Sequence, residues 1–393
     1  MWKFKEKYSY QLKRPSGGGA FAARTLRLSL ASALISLLCH GISFGQRLVF
    51  SQPLTARWQY ATADTTNLTP ATFDGHVYLP LAAGRLVALR AADGQLLWQT
   101  DLGGEFSAAP EGDERGVYIA TETAAHESAQ TYYRATGALR ALSGKSGVTL
   151  WMRTLPRPFS SALTSNATTL YGGTTDGRIY AINKTTGEVK WQAQYTAPFA
   201  SQPTLHGGRL YLGSEDGALL VFDEQQGNIL WRYQTHGPLR GPVVVANQLV
   251  LFGSTDGYVY ALDEVTGRLR WRARTGAGVQ AVAATGEGLI VASLDNFVYL
   301  LSYRHGQRVW KRQLAGRIAA QPLTSADSAL FVPLGGDACV VLALHDGKTL
   351  NTLEVGPDGN TSASPIVAAD VLLITTRHGL MAFAVPATSA QQP

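Results

Sequence analysis

The chain is poor in the residues that carry most covalent and metal chemistry. It holds two cysteines, Cys39 and Cys339, which excludes a disulfide-stapled fold and any C-x-x-C metal or haem motif. Its histidines (His40, His76, His126, His206, His236, His305, His345 and His378) are scattered at turns without ligand-like spacing. Beyond residues 1–45, neither a G-x-S-x-G elbow nor a phosphate-cradling glycine loop is present. Excess charge is lacking too. The formal net charge is +6, but residues 1–45 hold seven of the cations and one anion, which leaves 27 of each sign in the remainder. A neutral remainder lacks the broad basic footprint of a nucleic-acid binder. The longest apolar stretch, residues 28–38, is preceded by Arg27 and followed by Cys-His-Gly. It falls short of the roughly 20 apolar residues that span a bilayer.

What the chain does have is a repeat. Trp58, Trp98, Trp151, Trp191, Trp231, Trp271 and Trp310 follow one another at gaps of 40, 53, 40, 40, 40 and 39. A fixed period of this size marks units that cannot bury their own faces and must stack on their neighbours. Four residues before the tryptophan stands glycine in six units: Gly94, Gly147, Gly187, Gly227, Gly267 and Gly306. Further upstream come Asp176-Gly177, Asp216-Gly217, Asp256-Gly257 and Asp295-Asn296. Such pairs between apolar runs signal hairpins, because primed turns need positive φ.

Residues 203–233 read as four short strands: 204–205, 209–213, 218–223 and 228–233. Their period-two alternation and turn residues fit antiparallel strands and no helix. Four strands in about forty residues, repeated, predict propeller blades. Units ending at Trp98 through Trp310 give six blades, and residues 322–353 give a seventh with Asn351 in the tryptophan column. Residues 365–383 supply three strands only. The missing one is expected at the other end, where Ala56-Arg57-Trp58-Gln59-Tyr60 resembles Leu230-Trp231-Arg232-Tyr233. An all-β, eight-bladed propeller of four-stranded antiparallel blades is therefore expected over residues 54–385, closed by the N-terminal strand, which leaves no unpaired seam.

The repeated text, AINKTTGEVKW at 181–191 and ALDEVTGRLRW at 261–271, resembles the repeat of pyrroloquinoline quinone (PQQ)-like propellers across almost the whole remainder. That superfamily includes quinoprotein alcohol dehydrogenases, extracellular sensor domains and BamB, the scaffold lipoprotein of the outer-membrane β-barrel assembly machine. In size and layout the chain is most similar to BamB. The resemblance implies a structural role for the seven tryptophans, docking neighbouring blades, and it implies no cofactor. It also points to Leu239 and Arg240, since BamB-type proteins grip their barrel-assembly partner with a Leu-Arg pair just before an inner strand. The acidic residues used one blade later have no counterpart at residues 276–281.

Two exceptions within the repeat single out further candidates. Nine residues after the tryptophan stand Ser107, Ser160, Ala200 and Ala319, but Arg240 and Gln280 in adjacent blades. The 53-residue unit carries extra text at 122–136, in which Tyr132, Tyr133 and Arg134 have the composition of interface anchors. The bland alternatives are a solvated loop cation at Arg240 and a neutral hairpin insertion.

Residues 1–45 read as a secretory signal with a cleavage site after Ser43-Phe44-Gly45, followed by a linker at 46–53, the propeller, and a tail at 386–393. A retained anchor is the rival reading. Lipidation at Cys39 is disfavoured, because Leu38 is too large for a lipobox. Cleavage leaves Cys339 alone, without a disulfide partner. The expected protein is a non-catalytic periplasmic or outer-membrane-associated scaffold without cofactor or metal. Its expected partners are envelope proteins, including the barrel-assembly protein. A secreted ligand-binding or sensor propeller and a PQQ-dependent dehydrogenase are the alternatives. The vicinal cysteine pair common in the dehydrogenases is absent.

Overall fold

A computed structural model describes residues 50–125 and 134–386. These form eight antiparallel sheets, seven of four strands and one of five, in which Glu105–Phe106 and Glu111–Asp113 both pair with Gly116–Ala125; one 3-10 turn at Ala82–Gly84 is their only helical element. Seven sheets run in chain order, and the eighth pairs the strands Ile366–Ala368, Val371–Thr376 and Gly379–Ala384 with the N-terminal strand Thr55–Ala61. The expected eight-bladed, N-terminally closed propeller is the observed fold. No helix among the described residues is long and apolar enough to cross a membrane.

Blade 4 shows how the sequence writes each unit. Its strands are Thr204–His206, Arg209–Gly213, Ala218–Asp223 and Ile229–Gln234, within one residue of expectation. The second and third are buried almost throughout, because a neighbouring blade covers each face. They therefore read as unbroken apolar runs. The fourth strand lies at the rim and alternates half-buried with exposed. Residues around the first strands of six blades, among them Thr69, Gln202, Gln321 and Ser364, line one cavity of about 330 Å³, which marks the axial channel.

Every third–fourth pairing carries a one-residue bulge. In blade 4, Val221 faces Trp231 and Phe222 faces Ile229, so Leu230 is the extra residue. The same slip recurs in all eight blades. It explains why Leu97, Leu150, Leu230, Val309 and Leu350 are exposed, and it re-aims the following side chain toward the next blade.

That side chain is the tryptophan, and its seat is glycine. A Cβ placed on Gly94, Gly147, Gly187, Gly227, Gly267 or Gly306 would lie 2.4–2.7 Å from the indole of the preceding blade. These glycines also have φ between 65° and 74°, so the column is forced twice over. The indole Nε1 then donates to a backbone carbonyl of the following blade: Trp58 to Ala91, Trp98 to Gly144, Trp151 to Lys184, Trp191 to Glu224, Trp271 to Tyr303 and Trp310 to Leu344. Trp231 is the exception. The corresponding carbonyl, on Glu264, receives Arg209 Nη1 instead (2.6 Å).

The geometry also accounts for Asn351. Blade 8 takes its outer strand from the other end of the chain, so no tight glycine turn precedes that strand to seat an indole. Asn351 Nδ2 instead donates to Gln52 O (3.0 Å). Phe50 and Leu54 fill the space, packed with Val341, Leu353, Leu372 and Phe383.

Candidate functional site

The interblade connections and the second–third hairpins meet at one face of the ring. Glu215 N bonds Pro198 O and Leu239 N bonds Ser214 O, and equivalent bonds recur from blade to blade. Just beyond the first of these, each connection drops one residue between blades, at Phe159, Phe199, Leu239, Val279 and Ile318. All five are buried. Gly173, Gly213 and Gly253 leave room for three of them, with Leu239 Cβ 2.5 Å from the position a Cβ would take on Gly213.

This placement corrects the expectation for Leu239. It is 1% exposed and packs with Tyr211, Val250 and Phe252, so its side chain presents no surface to a partner. The Leu-Arg text reads as one interface element, yet the two side chains go opposite ways. Arg240 turns outward on the loop-bearing face and forms a fork with Glu215 (Nε–Oε1 and Nη2–Oε2, both 3.0 Å), half exposed. Gln280 lies alongside. Its carbonyl sits against Gly241, where a Cβ would approach to 1.9 Å, and accepts from Gln321 Nε2 (3.1 Å). Arg240 and Gln280 thus share one junction. Leu239→Ala is expected to cost about 3 kcal/mol. Arg240→Ala is expected to cost under about 1 kcal/mol. Urea unfolding of the two variants checks the contrast, and equal losses would contradict these positions.

Glu215 was not singled out in the sequence, because the acid expected one blade later stands one hairpin earlier. Tyr132 and Tyr133 lie outside the described residues. Arg134 opens the strand Arg134–Leu142, but its side chain also lies outside them.

A second polar cluster sits between blades 2 and 3. Lys184 is 3% exposed and forms an ion pair with Asp113. Its Nζ also donates to Ser165 Oγ (3.0 Å) and Asn166 O (2.9 Å) and lies over the Tyr118 ring. The available signal was a column exception, lysine where the next two blades carry Glu224 and Glu264. Nearby, Ser165 Oγ donates to Glu111 Oε1 (3.0 Å), while burial pushes the Glu111 carboxyl above the usual range against that bond and the Lys184 charge. The folded chain therefore holds this proton to higher pH than the unfolded chain. Its contribution to stability falls as pH rises between the two pKa values. Glu111→Gln should gain on the wild type as pH rises from about 4 to 7, measured by urea midpoints, because the other carboxylates cancel in the comparison. A gap that stays constant with pH counts against the assignment.

Cys339 is buried, with its thiol pushed up to about 12 by burial, and it donates to Asn360 Oδ1 (3.2 Å). No group of three or more metal-ligating side chains occurs among the described residues.

The architecture is that of an eight-bladed PQQ-repeat propeller. A family model described as outer membrane protein assembly factor BamB matches residues 52–151, 135–241 and 235–392, and the chain belongs to that family. Among solved structures, BamB from Moraxella catarrhalis superimposes with a TM-score of 0.70 at 15% identity, covering 84% of this chain and 99% of that one. The computationally designed Ika8 protein reaches 0.70 at 15% identity, covering 85% and 99%. A quinohemoprotein alcohol dehydrogenase from Comamonas testosteroni reaches 0.67 at 12% identity, covering 87% and 78%. At these identities the likeness is one of fold, shared by BamB and by an alcohol dehydrogenase. No curated protein matches the chain.

Proposed function

We propose that the protein is a non-catalytic scaffold of the cell envelope, exported by its N-terminal segment. In this reading its loop-bearing face holds envelope proteins, including the outer-membrane barrel-assembly protein. The observation that carries it is one of extent. The chain covers 99% of the BamB structure but 78% of the quinohemoprotein dehydrogenase, so the propeller accounts for nearly all of the former and leaves part of the latter unmatched. The axial cavity supports the same reading. It is lined by Gln202, Gln321, Glu111, Leu163 and otherwise by threonine, serine, proline, alanine and glycine, with neither a guanidinium nor an indole to hold a planar tricarboxylate quinone.

On this reading the exposed Arg240–Glu215 fork and Gln280 form the contact, and Leu239 only supports it. Affinity capture of the tagged chain from gently solubilised native envelopes tests it. Recovery of the barrel-assembly protein is expected, with loss in Arg240→Ala, whose stability cost stays under about 1 kcal/mol. Failure to recover it, together with saturable binding of PQQ and calcium, would overturn the scaffold in favour of the dehydrogenase.

A further inference from the structure

The buried column of the interblade connections breaks at two consecutive junctions. Where other blades insert Phe159, Phe199, Leu239, Val279 or Ile318, the connection from blade 7 to blade 8 carries Asn360. The connection from blade 8 to blade 1 carries Thr65. The equivalence is set by the same isolated bridge, Phe199 with Ser214 in one blade, Asn360 with Thr376 and Thr65 with Leu81 in these. Both replacements are polar, and both line a single cavity of about 620 Å³ on the loop-bearing face. The cavity exists where the apolar plugs do not.

Its polar groups are largely uncommitted. Arg377 occupies the hairpin position of Glu215, as the matching bonds Arg377 N–Gly359 O (2.9 Å) and Glu215 N–Pro198 O (2.9 Å) show. Arg377 thus stands where, one half-ring away, the acid Glu215 satisfies Arg240. The arginine has no such counterpart. Its guanidinium makes no ion pair or hydrogen bond with a described residue, and no carboxylate lines the cavity. Asp64, the nearest acid in sequence to the lining residues Ala63 and Thr65, is committed to Arg85. Thr65, Asn67 and Ser362 line the same space, and their side chains likewise make no hydrogen bond with described residues. Asn360 is spent on blade 7, Nδ2 donating to Ala338 O (2.8 Å) and Oδ1 accepting from Cys339 Sγ (3.2 Å).

We infer that this cavity binds a small oxyanion-bearing ligand, a carboxylate or a phosphate, on the Arg377 guanidinium, with Thr65, Asn67 and Ser362 supplying further donors. Its volume suits a small molecule, and a guanidinium receives either oxyanion through paired N–H groups. The site is independent of the partner-binding reading, since it lies on blades 7, 8 and 1 rather than 4 to 6.

Calorimetric titration of the full chain with sodium phosphate and, separately, with succinate at low ionic strength tests the inference. Saturable binding of at least one probe is expected, with Arg377→Ala weakening it on the order of tenfold or more. Thr65→Leu, which restores the plug, should abolish binding while keeping the arginine, and Arg240→Ala should leave it unchanged. Phosphate alone would indicate a phosphorylated ligand, succinate alone a carboxylate. Binding of neither probe, or undiminished binding in Arg377→Ala, overturns the site.

Discussion

A chain beginning at Thr62 is expected to lose its monomeric, cooperatively folded state, whereas one beginning at Gln46 keeps it. The truncation removes the strand that pairs with Gly379–Ala384, together with Trp58 from its seat on Gly94 and Phe50 and Leu54 from the core of blades 7 and 8. Loss of the indole alone is worth about 3–5 kcal/mol, a large share of a domain's net stability of roughly 5–15 kcal/mol. The strand Gly379–Ala384 would also be left with an open, mostly buried-type edge, the situation that invites edge-to-edge association. Size-exclusion chromatography with light scattering should show soluble aggregate for the shorter chain. A synthetic peptide of residues 46–61 added in trans should recover monomer. An unchanged monomer with an unchanged melting temperature would mean that closure does not rest on this strand.

Gly227→Val should be the most damaging single substitution at a blade junction, at about 4 kcal/mol. The residue has φ 73°, and its Cβ would lie 2.4 Å from Trp191 Cε3. A branched side chain in the left-handed region costs about 1–3 kcal/mol, and the forced shift of the indole a comparable amount. Trp191→Ala, at a half-buried position, should cost about 3 kcal/mol through lost packing and the lost bond to Glu224 O (3.0 Å). Because both act on one contact, the double variant should fall short of the sum by at least about 1 kcal/mol. Strict additivity in urea unfolding would show that glycine and indole are not a unit.

The fold was legible because its signals are local. The Asp-Gly hairpins, the glycine turns and the tryptophan period each repeat within forty residues, and even the N-terminal closure follows from counting strands. The loop-bearing face was less legible. Leu239-Arg240 looks like one element, but neighbouring residues leave a turn in different directions, and the void beside Gly213 that receives Leu239 belongs to another hairpin. Glu215 and Lys184 act on residues 25 and 71 positions away, a relation set by blade stacking rather than by any local pattern. The cavity at Arg377 escaped for the same reason. Only superimposing the blades shows that Asn360 and Thr65 stand in an apolar column.

The closure of blade 8 has a consequence for the order of events. Ala61 faces Gly379 across more than three hundred residues of intervening chain. The propeller strand that precedes all others in the chain is therefore the one that must wait longest. Blades 1 to 7 can zip in sequence as they emerge, each indole meeting its glycine about one blade later. The opening strand finds its ladder only when the last hairpin arrives. Joining such distant segments is the slow, exposed kind of contact. A holding factor acting on this protein during biogenesis would be needed chiefly at its beginning, and until its end.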